Sequence, residues 1–263
     1  MPKANNGQDP GEFWRELLTE GHRPLAVLQW TFRHMPSPPR CKLCYNPFGG
    51  VGGRIVGVAG FKPSRKNPNF CVRCCEALPI GGADVDIAVL FVDVRNSVRM
   101  ASGTSPKTFA ATLNRFYSEA TGALVAHDAI IDKLVGDEVM ALFIPGIAGK
   151  HYRRRAVDAA ESLLQRVGYR RNGEPWIEIG IAVHAGEAYV GNVGSSAVVD
   201  FTALGDTVNV AARLQAVAKP GELVLSEELW QSIGAPAGGE PREYDLKGKD
   251  ERVPARVFHP ALG

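Results

Sequence analysis

Residues 130–143, Ile130-Ile131-Asp132-Lys133-Leu134-Val135-Gly136-Asp137-Glu138-Val139-Met140-Ala141-Leu142-Phe143, constrain the fold more than any other stretch of the 263-residue chain. Two short apolar runs flank Gly136-Asp137. A Gly-Asp pair in that setting is a two-residue hairpin signal, because glycine takes positive φ at no steric cost and aspartate tolerates turn positions. The stretch predicts a β-hairpin with a carboxylate at its tip. A second run, Ile87-Ala88-Val89-Leu90-Phe91-Val92, is apolar without alternation and stops on Asp93. That is the pattern of a central strand covered on both faces. Two strands therefore each bring an aspartate to a turn. Paired carboxylates are a usual protein contribution to a Mg²⁺ site that handles phosphates, since the hard ion takes oxygen ligands and leaves positions for substrate and water. Either aspartate alone reads as well as a turn or helix-capping residue.

Between and after these strands, Ser105-Pro106 pairs an N-cap with proline at the first helical position. The helix it opens places Phe109, Leu113, Phe116, Tyr117, Ala120 and Leu124 on one face. A further helix is expected from about Lys150 to Val167, with Ala156, Ala159, Ala160, Leu163, Leu164 and Val167 inward and Arg153-Arg154-Arg155 on the solvated side. Trp176–Val183 and Ala188–Val193 read as two further strands. The order β, α, β, β, α, β is the ferredoxin-like split arrangement of an α+β fold, in which the first strand lies antiparallel beside the third. Such a pairing sets Asp137 next to Asp93.

Upstream, residues 1–36 read as a helical segment. Phe13, Trp14, Leu17 and Leu18 recur at helical spacing, and Leu25, Val27, Leu28, Trp30 and Phe32 follow a break at Gly21–Pro24. After a Pro/Ser linker at Pro36–Arg40, residues 37–80 form a module around Cys41-Lys42-Leu43-Cys44 and Cys71-Val72-Arg73-Cys74-Cys75. Cysteines two apart turn both thiolates toward one ion, and two such pairs complete a tetrahedral four-sulfur shell. Zn²⁺ suits that shell, an Fe-S cluster suits it as the alternative, and four reduced buried thiols are the metal-free explanation. Cys75 is spare and reads as a small buried residue. Arg54, Lys62, Arg65, Lys66 and Arg73 give the module a basic face, explained most simply as a solvated surface, with nucleic-acid contact as the alternative. The net charge of +2 gives no bulk argument for nucleic acid or an anionic membrane. No apolar run approaches the ~18–20 residues that span a bilayer, and Met1–Pro10 is polar, so a cytoplasmic, reducing setting is expected. There, metal explains the cysteine pairs better than disulfides do.

Phe201-Thr202-Ala203-Leu204-Gly205-Asp206-Thr207-Val208-Asn209-Val210-Ala211-Ala212-Arg213-Leu214 is the third informative stretch. Asp206 reads as the cap of a helix ending near Pro220-Gly221. Asn209 and Arg213, four apart, project from one face of it. An exposed polar stripe would look the same in isolation.

Taken together, the three stretches resemble the catalytic domain of class III nucleotidyl cyclases, the adenylate and guanylate cyclase family. The resemblance runs from about Val85 to Phe258, within a catalytic domain bounded at 84–260. It includes His184-Ala185-Gly186-Glu187, Gly191-Asn192-Val193-Gly194 and Leu246-Lys247-Gly248. It implies the palm fold of that family, with Asp93, the adjoining Val94 and Asp137 holding two Mg²⁺ or Mn²⁺ ions. Lys133 and Thr202 would read the purine, Asn209 orient the ribose, and Arg213 contact the phosphate under attack. The backbone of Val94, Asn96, Ser97 and Val98 would cradle the triphosphate, in a loop that departs from the family's common Gly followed by Ser/Thr. Lys133 can donate to adenine N1 and Thr202 accept from the 6-amino group, whereas guanine presents the opposite pattern. ATP is thus the expected substrate. The family builds its sites across a two-fold interface, and this chain carries both halves of the residue set, so a homodimer with shared active sites is implied. The alternatives are a guanylate cyclase or a cyclase of loose specificity and, from another class, a non-catalytic nucleotide-sensing or nucleic-acid-binding protein. A diguanylate cyclase is disfavoured because Val135-Gly136-Asp137-Glu138-Val139 lacks that family's second glycine and aromatic.

Overall fold

The structure, a computed structural model, describes residues 9–21, 39–169, 173–195 and 199–259. The helix expected around Leu25–Phe32 lies outside the described residues. Among those described, the chain divides into two compact units. One comprises Met1–Val85, Ile144–Lys150 and Tyr189–Ala203, the other Asp86–Phe143, His151–Ala188 and Leu204–Gly263.

The strands are β1 (Gly81–Val94), β2 (Ile130–Val135), β3 (Glu138–Phe143), β4 (Ile179–Gly194), β5 (Val199–Leu204), β6 (Leu223–Ser226), β7 (Glu240–Tyr244) and β8 (Val253–Phe258). They form one sheet in the order β2-β3-β1-β4-β6-β8-β7, with β5 paired to β4. The first four strands in that order are the expected split arrangement. β1 runs antiparallel to β3 with Ala88 opposite Phe143, Val92 opposite Val139 and Asp93 opposite Glu138. Residues 87–92 are buried, as the unbroken apolar run requires. β4 is parallel to β6, a pairing that needs a long crossover. The helix over Asp206–Val217 supplies it.

The helices are α1 (Pro10–Thr19), α2 (Gly50–Val58), α3 (Val72–Ala77), α4 (Ser97–Gly103), α5 (Pro106–Ala126), α6 (Pro145–Ala148), α7 (Tyr152–Val167), α8 (Asp206–Val217) and α9 (Glu227–Ser232). None of the described helices is long and apolar enough to cross a membrane. Ser105 caps α5 as expected, its Oγ accepting from the Thr108 N–H at 3.1 Å. In α1 the buried set is Phe13, Trp14, Leu17 and Leu18, the four picked out by periodicity.

Three expectations are corrected. Residues 179–194 form one strand, not two, because nothing within His184–Glu187 turns the chain. Gly186 is a point of close approach instead, where a Cβ would lie 2.9 Å from Thr207 Oγ1. Arg153 and Arg155 are not simply solvated. Tyr152 OH donates to Asp86 at 2.6 Å, Arg153 donates to the same carboxylate at 2.5 Å, and Arg155 pairs with Asp128. Two of the three arginines, though still solvent-exposed at 30% and 43%, pair with carboxylates beside the first turn of α7, and burial together with Asp86 pushes the Tyr152 hydroxyl up to about 12. Cys75, expected to be buried, is half-exposed.

In the first unit, the start of β1 meets the end of β4 at glycines. A Cβ on Gly191 would fall 2.1 Å from the Gly81 carbonyl oxygen and 2.4 Å from Gly82 Cα. Backbone cannot swing aside as a side-chain tip can. Gly191→Ala is expected to cost roughly 2 kcal/mol or more in urea unfolding, by forcing the two strands apart.

Candidate active site

The hairpin tip sits where the sheet pairing puts it. The Val94 N–H donates to the Asp137 carbonyl at 3.2 Å, so the turn of β2–β3 is bonded to the end of β1. Gly136 supplies the turn with φ +61. The Tyr117 hydroxyl, from α5, donates to the Gly136 carbonyl and holds the turn from the helix side. With the backbone thus placed, the Asp93 and Asp137 carboxylates come within hydrogen-bonding reach of each other. Burial pushes the Asp93 carboxyl up to about 6; Arg95 opposes the shift and Asp137 adds to it. Burial also raises Glu138, helped by Asp93 and Asp137. Arg95 donates to Asp93 and, through Nη1, to the Ala218 carbonyl at 3.2 Å. A half-buried carboxyl with a second carboxylate beside it forms a set of oxygen donors that a hard divalent cation would relieve, so these residues fit such an ion.

A cleft of about 470 Å³ opens at this point, lined by Asp93–Val98 and Ala216–Pro220. Its volume falls within the ~300–1,000 Å³ range of small-molecule sites. The backbone expected to cradle phosphate divides into two parts. The N–H groups of Val94 and Arg95 are bonded to the carbonyls of Asp137 and Glu178. Asn96 takes a left-handed conformation, φ 59, and its Nδ2 donates to Glu178 Oε2 at 3.0 Å. The first intrahelical bond of α4 runs from Met100 N–H to the Asn96 carbonyl, so the N–H groups of Ser97 and Val98 have no acceptor within the helix.

Asn209 and Arg213 lie on α8, which starts differently from expectation. The N-cap is Gly205, at φ +136, and Asp206 is the first helical residue. Its carboxylate caps nothing and receives Lys249 Nζ at 2.5 Å. Thr207 instead ties the helix to the sheet, its Oγ1 donating to the Glu187 carbonyl at 2.5 Å. Val210 and Leu214 are buried against Ala182, Val224, Leu246 and Val257, which leaves Asn209 exposed and Arg213 half-buried. Gly248, φ +78, passes close to the Arg213 guanidinium: a Cβ there would stand 3.4 Å from Nη2.

Lys133 follows a shift of register between Ile131 and Lys133 in the β2–β3 ladder. Its Nζ donates to Asp132 Oδ1 at 3.1 Å, and the Asp132 side chain is fully buried. Thr202 is buried on β5 and belongs to the first unit, whereas Lys133, Asp93, Asp137, Asn209 and Arg213 belong to the second. Sequence reasoning missed Arg95, Tyr117, Glu138 and Glu178. Tyr117 was visible only as the polar member of an apolar stripe, and Glu178 carried no signal.

The four cysteines of the first unit converge. The Sγ atoms of Cys41, Cys44, Cys71 and Cys74 all lie within 4.8 Å of one another, every residue is buried, and Cys44 and Cys71 stand 3.8 Å apart. Backbone N–H groups of Cys71 and Cys74 donate to the sulfurs of Cys41 and Cys71 at 3.3 and 3.4 Å. Cys75 is not part of the cluster. Of the basic residues nearby, Arg73 lies over the Phe61 ring at 4.9 Å and Lys66 pairs with Asp200.

Residues 83–253 match the family described as the adenylate and guanylate cyclase catalytic domain. An uncharacterized protein of Mycobacterium tuberculosis is 32% identical over 255 residues, which is 95% of this chain and 42% of that protein. The adenylate cyclase of Anabaena cylindrica is 28% identical over 191 residues, 68% of this chain and 38% of its own length. The chain thus spans less than half the length of these relatives. Among solved structures, the guanylyl cyclase Cya2 superposes with a TM-score of 0.62 at 24% identity, covering 68% of this chain and 93% of that one. The adenylyl cyclase CyaB from P. aeruginosa gives 0.59 at 24%, over 68% and 96%. At this identity the structures speak for the fold.

The raised Asp93 carboxyl carries a sign. Its folded value lies above the ordinary 3.8, so the folded chain binds this proton more tightly. The stability it contributes is present at low pH and lost as pH rises from 3.8 to about 6. In protein freed of Mg²⁺ and Mn²⁺, the melting temperature of Asp93→Asn should therefore gain on the parent by a few degrees across that window, as measured by thermal melts at several pH values.

Proposed function

The chain belongs to the adenylate and guanylate cyclase catalytic domain family, and from that premise we propose that it is an adenylate cyclase converting ATP to 3',5'-cyclic AMP and pyrophosphate. The observation that carries the proposal is the meeting of Asp93 and Asp137 at the Val94–Asp137 backbone bond, beside a cleft of substrate size. Two divalent ions, Mg²⁺ or Mn²⁺, held by the two carboxylates and the Val94 carbonyl, would lower the pKa of the ribose 3'-hydroxyl and neutralise phosphate charge. The residues of the chain do the rest. The N–H groups of Ser97 and Val98, following Asn96, point the first turn of α4 at the phosphates. Arg213 places a guanidinium on the α-phosphoryl oxygens as charge builds during in-line attack, and Asn209 orients the ribose. Lys133 donates to adenine N1 and Thr202 accepts from the 6-amino group.

Two observations support a homodimer with shared sites. The cleft at Asp93 is lined without Asn209 or Arg213, although α8 runs into its wall at Ala216. Val98, Leu134 and Val135 are apolar residues 80%, 46% and 59% exposed, which a second copy of the chain would cover. An ATP substrate suits a cytoplasmic setting. For the cysteine module the proposed ion is Zn²⁺. A single tetrahedral ion with ~2.3 Å bonds to sulfur spaces its ligands ~3.8 Å apart, which is the Cys44–Cys71 separation of 3.8 Å. A polynuclear Fe-S cluster attaches its thiolates to separate irons and spreads them wider.

Incubation of the full chain with ATP or GTP and Mn²⁺ should yield cyclic AMP in preference to cyclic GMP on chromatography, and Asp137→Ala should yield neither. Equal use of both triphosphates would remove the adenine assignment. Arg213→Ala should lower kcat by about 10²-fold with a smaller change in KM. Mixed with Asp93→Ala chains, also inactive alone, it should recover activity through one intact site; verified mixed dimers that stay inactive would rule out shared sites.

A further inference from the structure

The strand that carries Thr202 is also the strand that the cysteine module grips. Asp200, Phe201 and Thr202 are consecutive on β5, so Phe201 points to the face opposite the other two. The Phe201 ring is held from two sides within the first unit. Trp14 of α1 lies 6.0 Å away, centroid to centroid, and Phe70 meets it edge-on at 6.5 Å. All three rings are buried. On the other face, Lys66 forms an ion pair with Asp200.

Phe70 and Lys66 both belong to the loop that closes on the thiol cluster. Phe70 directly precedes Cys71. Its carbonyl accepts from the Ser64 N–H at 2.8 Å, and its own N–H donates to the Asn67 carbonyl at 2.9 Å. The loop is stapled to the first cysteine pair by the Lys42 N–H, which donates to the Asn69 carbonyl at 2.9 Å. A third link leaves the second cysteine pair: the Leu78 carbonyl accepts from Asn192 Nδ2 at 2.9 Å, on β4, the strand paired with β5. Segments 41–46 and 62–74 are joined by few backbone bonds of regular structure, and α3 is only six residues long. Four thiolates gathered on one ion would therefore hold Phe70 and Lys66 where they meet β5.

We propose that the Cys41, Cys44, Cys71 and Cys74 module is a metal-dependent clamp on β5, and that through Phe70 and Lys66 its occupancy sets how firmly Thr202 is presented to the purine. The second half rests on the reading of Thr202 as a purine contact. Phe70, Phe201 and Lys66 are positioning residues on this view. The aromatic contacts carry most of the clamp, since an ion pair as exposed as Lys66–Asp200 contributes little. The module acts on base selection and leaves the metal-binding aspartates, which belong to the other unit, to their own supports.

The test uses the full chain loaded with Zn²⁺, the same chain stripped by a strong chelator, and a loaded Phe70→Leu variant, which keeps apolar volume and all four thiols but loses the ring. Zinc per chain, amide hydrogen exchange in peptides covering 199–204 and 87–92, and kcat/KM for ATP and GTP are measured on each. Exchange at 199–204 should rise on stripping and in Phe70→Leu while 87–92 stays protected. In Phe70→Leu, at one zinc per chain, the preference for ATP over GTP should fall about three- to tenfold, through KM more than kcat. A variant that holds its zinc and moves neither exchange nor preference overturns the proposal, as does raised exchange with an unchanged preference. Should the loaded parent cyclise neither nucleotide, it is the cyclase reading that fails, and exchange at 199–204 alone then decides whether the clamp exists.

Discussion

The antiparallel pairing of β1 with β3 is the constraint on which the site depends. Strand register is all or nothing, because a slip of one residue turns every side chain to the opposite face. Here both faces of β1 are buried over residues 87–92, so apolar packing sets the register, and the register in turn sets Asp93 opposite Glu138 and Val94 against the Asp137 carbonyl. Three carboxylates gather at one strand end as a result. Burial raises the Asp93 and Glu138 carboxyls, the neighbouring carboxylates add to it, and Arg95 offsets part of the shift. A core that gains nothing from those charges holds them together, an arrangement that the proposed pair of divalent cations would relieve.

The second half of the site follows a similar logic with helical periodicity in place of strand register. Val210 and Leu214 bury one side of α8, so Asn209 and Arg213 are left on the other. The entry of that helix depends on bare backbone. Gly205 takes a φ of +136 that side chains rarely adopt, Gly186 leaves space for Thr207, and Gly248 leaves space for the Arg213 guanidinium. A side chain at Gly186 or Gly248 would press on Thr207 or Arg213, and one at Gly205 would strain the start of the helix that carries Asn209.

What the sequence made legible was local or periodic. The hairpin turn, the Ser105 cap, the buried face of α1 and the cysteine pairs each occupy a few neighbouring positions, and each was readable. The misses share a cause of the opposite kind. Arg153 and Arg155 pair with Asp86 and Asp128, Asp206 receives Lys249 in place of capping, and Arg95 finds both Asp93 and Ala218. Most of those pairs join residues far apart in the chain, and no periodicity announces them. The register shift ahead of Lys133 belongs to the same class: it is set by how β2 and β3 meet, not by the residue types within either strand.

That shift bears on base selection as proposed. Lys133 has its ammonium tied to a fully buried Asp132 carboxylate, and an ammonium can only donate. The Thr202 hydroxyl can donate or accept, so by itself it accommodates adenine or guanine. On the proposed reading, discrimination would fall mainly on Lys133, whose donor would meet an acceptor at adenine N1 and a competing donor at guanine N1. Thr202 contributes only when its oxygen is held at the right depth. If Thr202 contacts the purine as proposed, what it contributes depends on how its oxygen is placed, and the aromatic grip of Trp14 and Phe70 on Phe201 acts one residue away on the same strand.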